Sequence, residues 1–317
     1  MSIRLGLIGC GEHSELGHAI PLARYAAQHP EALVLTAACD VRANRAQIFR
    51  QKYGFARAYQ DADIMLAKEK LDVCIAVVPV ERISEIGIKL LQANMPCVVE
   101  KPLGATIAEV QQLVEAAKRT GTSNMVSVNR RFMPFLNRGM KWAEATGKLR
   151  YVYGAMLRHA RLEPDFLRFT AIHALDTMRF IGGEIREWAI RALISAEPHW
   201  YAIDLQFENA VQGRIDILPT TGMVEERYEL LGEDFRVVIV SPFGPQRSLR
   251  CYRENRLLLE EIAGSETPED VIQGFYGEAS ELIQALSNGK QLKPSIEDVF
   301  PSVDLCFHLA GRIDKNG

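Results

Sequence analysis

The chain has 317 residues, 48% of them hydrophobic and 24% charged, which is the balance of an ordinary globular protein at a length that suits two domains. A formal net charge of −3 excludes the broad basic surface that nucleic-acid binding requires. No apolar run approaches the roughly 20 residues that span a bilayer. The apolar start is too short for a signal peptide and is followed by Glu12, so the expectation is a cytoplasmic protein with neither nucleic acid nor membrane as partner.

In chain order, an apolar strand at 5–8 runs into Gly9-Cys10-Gly11, and a helix spans about 17–28. A second buried strand at 33–39 closes on Asp40, and helical spacing at 42–53 stops at Gly54. A strand at 72–78 ends at Pro79, a helix covers 83–92, and a strand covers 97–99. Thr106-Ile107-Ala108-Glu109 is a capping-box signature. The helix it opens reaches Arg119 and stops at Gly121, before a fifth strand at 125–128. Strands without polar alternation, separated by helices, imply a parallel sheet covered on both faces. After Asn129 the pattern alternates, at 150–157, 187–193, 201–207, 212–218, 228–231 and 237–240, with helices near 171–180, 273–287 and 296–310. The expected fold is therefore α/β: a dinucleotide-binding domain at 1–128, then an α+β domain at 129–317 with a large, mostly antiparallel open sheet. The last helices have the option of packing back on the first domain.

Four features carry chemistry. Gly9-Cys10-Gly11 lets the backbone turn tightly and approach a pyrophosphate, with the next helix supplying amide donors. Ser14 stands at the third glycine position, and Glu15-Leu16-Gly17-His18 reads as loop before the helix settles. Gly9, Cys10, Gly11, His13 and Ser14 are thus candidate cofactor residues; the bland reading is a glycine turn in an unliganded sheet. Asp40 suits the ribose hydroxyls of NAD, whereas Arg42 would accept the extra phosphate of NADP; NAD is favoured, and the plain alternative makes Asp40 a helix N-cap. Lys101, between Glu100 and Pro102 at a strand end, could polarise a substrate oxygen. His173 opens a helix in Thr170-Ala171-Ile172-His173-Ala174-Leu175-Asp176, where an imidazole could take a proton or simply sit satisfied in the core. Asp176, one turn on, could orient the ring or bond locally. Cys10, Cys39, Cys74, Cys97, Cys251 and Cys306 form no C-x-x-C pair and read as buried small hydrophobes in a reducing compartment. The seven histidines show no metal-ligand spacing, so no metal is expected.

These pieces in this order resemble the Gfo/Idh/MocA family of glucose–fructose oxidoreductase and inositol dehydrogenase relatives. The resemblance rests on Gly9-Cys10-Gly11, Cys39-Asp40, Pro79, Glu100-Lys101-Pro102, Asn129-Arg130-Arg131-Phe132 and His173-Ala174-Leu175-Asp176. It implies a Rossmann domain that binds NAD(P) and a second domain whose open sheet forms a homodimer or homotetramer. It implies that Lys101 and His173 flank the substrate, that Glu100 lies near the nicotinamide, that Pro79 borders the cofactor, and that Lys101–Pro102 is cis. The activity implied is hydride transfer between nicotinamide and a sugar, cyclitol or related polyol. Three departures stand out: Phe169 where the family often has aspartate, Ile83 where it often has histidine, and a glycine loop one residue longer. Asp165 is the nearest replacement carboxylate, and Arg161 and Arg168 suggest an acidic or phosphorylated sugar. The Phe169 departure keeps open a non-catalytic nucleotide-bound regulatory or scaffold protein; a further alternative is an NAD-recycling enzyme in which transient oxidation next to a leaving group permits glycoside cleavage.

Overall fold

In the computed structural model, which describes residues 2–193 and 198–314, the chain divides into two units. One runs to Val128 and takes back Phe275–Pro301; the other holds Asn129–Gly274 and the residues from Ser302 onward. The outermost positions of the expected domains, 1 and 315–317, lie outside the described residues.

The first unit is built on six short strands: β1 (Ile3–Ile8), β2 (Leu33–Cys39), β3 (Arg57–Tyr59), β4 (Val73–Ala76), β5 (Cys97–Glu100) and β6 (Asn124–Ser127). All pair in parallel, in the order β3-β2-β1-β4-β5-β6, the order of a Rossmann sheet. Every side chain of β4 and β5 is buried, as expected for strands sandwiched between helices. The helices are α1 (Glu12–Ser14), α2 (Ile20–Gln28), α3 (Ala43–Tyr53), α4 (Ala62–Lys68), α5 (Val80–Gln92) and α6 (Ile107–Thr120). Thr106 and Glu109 make both halves of the capping box at the start of α6. The helix Phe275–Ser287 packs on β1 and α2. Beyond it the chain runs beside β6, where Val126 N–H donates to Pro294 O and Ile296 N–H to Asn124 Oδ1, both at 2.8 Å. β3 and α4 carry no sequence signal strong enough to read, being three and seven residues long.

The second unit holds an eight-stranded sheet: β7 (Leu149–Leu157), β8 (Ile185–Ala192), β9 (Tyr201–Phe207), β10 (Gln212–Leu218), β11 (Glu225–Gly232), β12 (Phe235–Val240), β13 (Ser248–Arg253) and β14 (Arg256–Ile262). The order is β14-β13-β12-β11-β7-β10-β9-β8, antiparallel throughout except for β7 with β10. Two helices lie on one face, α7 (Pro134–Thr146) against β12 and β13, and α8 (Ile172–Gly182) against β7 and β10. Val152, Ile203, Ile215, Val237 and Ile239 are wholly buried in that layer. Alternate residues face the other way. There Tyr153 donates to Asp216, Glu229 holds Arg227 and Arg236, and Arg250 meets Glu260. β13, β14 and α7 escaped the sequence reading. Leu257 and Leu258 are consecutive and both exposed, so β14 lacks the alternation that marks a half-buried strand. Among the described residues no helix is long and apolar enough to cross a membrane.

Candidate functional site

The strand order of the first sheet reverses between β1 and β4, and ligands of open α/β sheets bind outside the carboxyl ends of strands at such a point. A cavity of about 800 Å³ lies there, within the usual range for small-molecule sites. Gly9 forms its turn with φ +91°, and a Cβ at this position would sit 1.9 Å from the Val77 carbonyl oxygen, so only glycine fits. Gly11 lines the cavity, and a Cβ there would meet no atom within 4 Å. The turn therefore presents bare backbone. Ser14 Oγ donates to Gly9 O at 2.7 Å, which ties the helix to the turn at the third glycine position.

Three sequence expectations are corrected here. Residues 15–18 are not a loop: helix begins at Glu12, and the extra residue is absorbed in a π turn, Glu15–Ala19, closed by Ile20 N–H to Glu15 O. Such bulges inside helices recur at functional sites. Asp40 is not the N-cap of α3, a position held by Arg42. Its Oδ2 instead accepts Cys10 N–H and its Oδ1 accepts Arg42 N–H, both at 2.8 Å, which fixes a carboxylate on the cavity wall. Arg42 itself is exposed and does not line the cavity; the wall arginines are Arg45 on α3 and Arg82 on α5. Pro79 caps α5 and lines the wall. A glycine turn with open backbone and a fixed carboxylate at the end of β2 fit a dinucleotide.

Glu100, the last residue of β5, is buried. Its Oε1 meets His18 Nε2 at 2.7 Å and His13 Nε2 at 3.1 Å, and its Oε2 accepts Lys101 N–H at 3.2 Å. Burial pushes this carboxyl up, but the charge and hydrogen bonds of His13 and His18 outweigh it and hold the group well below the usual carboxylate range. Beside it lies Glu278, driven well above that range by burial and by the charge of Glu100, with Ser127 as hydrogen-bond partner. Its Oε2 is buried without a partner. The sequence reading missed His18 and Glu278. The only signal was a five-residue histidine spacing that suits no α-helical face. Lys101 lines the cavity beside Glu100, and the Lys101–Pro102 peptide is cis.

In the second unit His173 is the second residue of α8, half-buried, and follows a π turn at Phe166–Thr170. Asp176 accepts from Arg131 Nε at 2.8 Å and Nη2 at 2.7 Å, and from Ser302 Oγ at 2.7 Å. Both of its oxygens are thus engaged by an arginine clamp and a hydroxyl. Phe169 stands edge-on to Phe307, ring centroids 6.3 Å apart. Asp165 pairs with Arg168 at 2.6 Å, and Arg161 pairs with Glu163. Carboxylates of the same segment thus pair with both arginines. Deeper in this unit Glu226 is clamped by Arg130 and Arg158 and accepts from Tyr228. Burial raises its carboxyl, yet the two guanidiniums bring it down to about 2. All six cysteines are buried and unpaired.

Residues 3–129 match the Gfo/Idh/MocA family, an oxidoreductase family with an NAD-binding Rossmann fold. The chain is 26% identical over 279 residues to D-apiose dehydrogenase of Paraburkholderia graminis, covering 82% of this chain and 70% of that enzyme. It is 26% identical over 194 residues to myo-inositol 2-dehydrogenase of Thermotoga maritima, covering 57% of this chain and 55% of the relative, about half its length. A solved oxidoreductase of Agrobacterium radiobacter, in complex with NAD+, L-tartaric acid and magnesium, superposes with a TM-score of 0.80. That structure is 17% identical, covers 98% of this chain and 97% of its own, and shares the fold.

Proposed function

We propose that this chain, which belongs to the Gfo/Idh/MocA oxidoreductases with their NAD-binding Rossmann fold, is a dehydrogenase moving a hydride between a neutral sugar, cyclitol or related polyol and nicotinamide. One observation carries the reading: the cavity at the strand reversal has the Gly9 turn, the fixed Asp40 carboxylate and Lys101 on its wall. Asp40 favours NAD over NADP, because a carboxylate accepts ribose hydroxyls and repels a 2′ phosphate. Asp61 lies on the same wall, whereas Asp63 there is paired with Lys89 at 2.6 Å. A bound nicotinamide would supply the hydride acceptor. Lys101 has the role of donating to the substrate oxygen and stabilising negative charge on it. His173 has the role of taking the hydroxyl proton. Relatives named as dehydrogenases favour turnover over the non-catalytic alternative.

A panel of neutral polyols and sugars, followed by nicotinamide absorbance, tests this. On the substrate found, Lys101→Ala and His173→Ala should each lower kcat by about 10²–10⁴-fold. Unchanged turnover removes the assigned roles. Dinucleotide binding with no turnover on any member restores the scaffold reading, and release of an aglycone without net NADH restores glycoside cleavage.

The six buried thiols suit a reducing compartment, and a cytoplasmic location follows from that reading. The sheet face opposite α7 and α8, with Tyr151 and Tyr153 among its ion pairs, is the surface assigned to a homodimer or homotetramer. Native mass spectrometry should give an even multiple of the chain, and a monomer would remove this assignment.

A further inference from the structure

The cavity does not stop at Asp40. Gln60, Asp61 and Asp63, which follow β3, line it further, and α5 faces them with Arg82, Glu85 and Lys89. β3 is the next strand outward from β2, so this arm lies on the side of Asp40 away from the Gly9 turn that follows β1. The strand ends are tied together here. Asp40 N–H donates to Tyr59 O at 3.1 Å, and Gln60 Nε2 donates to Val41 O at 3.0 Å. Val41 lines the arm as well and is 81% exposed, more than any other large apolar side chain among the described residues. A ribose held on Asp40 is joined to the pyrophosphate on one side and to its base on the other. With the pyrophosphate at the Gly9 turn, the base falls in this arm, where its ring covers the valine.

Three carboxylates stand on this arm, and two are answered by cations. Asp63 accepts from Lys89 Nζ at 2.6 and 2.7 Å, and Glu85 pairs with Arg82 at 3.0 Å. Asp61 differs. Its Oδ1 accepts Ile64 N–H at 3.0 Å, which holds the side chain in place, while no described residue engages Oδ2. A carboxylate oxygen accepts hydrogen bonds, and the exocyclic donor of adenine is its 6-amino group. We propose that Asp61 is a specificity-determining residue of the dinucleotide site, with Oδ2 accepting from the 6-amino group of an adenine whose ring lies against Val41. The cavity then selects a dinucleotide whose base carries that amino group over one whose base lacks it. The proposal rests on the dinucleotide reading of the cavity. It assigns to Asp61 a role separate from that of Asp40, which meets the ribose and not the base.

Fluorescence titrations of the intact protein with two reduced dinucleotides read this directly: NADH, and its nicotinamide purine analogue in which hydrogen replaces the 6-amino group. One hydrogen bond to an ionised acceptor changes a dissociation constant about tenfold, so the parent should bind NADH about tenfold more tightly than the analogue. Asp61→Asn is the informative variant, because asparagine caps a helix as well as aspartate does. With its oxygen retained on Ile64 N–H, the amide turns a donor toward the arm in place of the acceptor. Its dissociation constant for NADH should rise about tenfold, to that of the analogue, while binding of the analogue stays as in the parent. Equal binding of the two dinucleotides by the parent overturns this inference and leaves the dinucleotide site standing. So does an Asp61→Asn protein that retains the tenfold preference, or one that loses affinity for both dinucleotides in equal proportion, the mark of a merely structural role. No NADH binding by the parent overturns both.

Discussion

Glu226 and Glu100 are both carboxylates sunk in the interior of their units, yet different partners face them. Glu226 meets two guanidiniums, Arg130 Nη2 at 2.9 Å and the close contact of Arg158, with the Phe243 ring 5.4 and 5.0 Å from the two cation centres. Arginine keeps its charge at any pH a folded protein survives. Glu100 meets two imidazoles, His18 buried and His13 half-exposed. The first cluster is a permanent brace within the second unit. In the second, one of the two rings stands on the wall of the cavity. The partners, more than the depth of burial, separate a brace inside the core from a carboxylate joined to a cavity wall.

Removing the carboxylate at 226 breaks this comparison most severely. Glu226→Ala leaves two guanidiniums buried without an anion and should cost about 3–5 kcal/mol, read as a lower urea midpoint. The acid limb of the parent should show the same group. Its folded-state carboxyl lies at about 2, against 4.5 when exposed. Its contribution is complete above about pH 4.5 and is lost as pH falls toward 2, worth about 3 kcal/mol in all.

The opposite slope belongs to Glu278, and it sharpens the contrast. Its carboxyl is raised in the folded chain. Above the ordinary value near 4.5 the unfolded chain releases this proton while the folded chain retains it. Stability therefore falls as pH rises, by about 1.4 kcal/mol per unit, until the folded group ionises as well. Glu278→Gln should match the parent near pH 4.5 and exceed it progressively toward neutrality in urea titrations. An equal gap between the two proteins at every pH would show that Glu278 is already ionised in the fold.

Much of the first unit was legible because its signals are local. Leu5 and Leu7, the fully buried run of β4, and the Thr106–Glu109 capping box each lie within a few consecutive residues. The cavity wall was legible in part. Gly9, Asp40, Pro79, Glu100 and Lys101 all fall at strand ends, where hydrophobic runs stop abruptly, and all line it. Arg42 was read in place of Arg45 because only the folded start of α3 decides which residue meets the wall. The histidine cluster was beyond sequence reading for a different reason. Glu100 lies 82 positions from His18, and Glu278 is farther still, so no spacing brings them together. Asp176 was readable as polar and helical, but its partners Arg131 and Ser302 come from 45 and 126 positions away.

The π turn makes the chemistry of this corner depend on chain length. Deleting one residue from Glu15–Ala19 would restore ordinary helical winding and swing the flanking side chains about 100° relative to each other. The glycine bend before it would survive, while Glu100 would lose one of its two rings. Loop length alone thus offers a way to sort kindred chains: those with the additional residue can set two rings against this acid, and those one residue shorter are left with a single nitrogen partner for it.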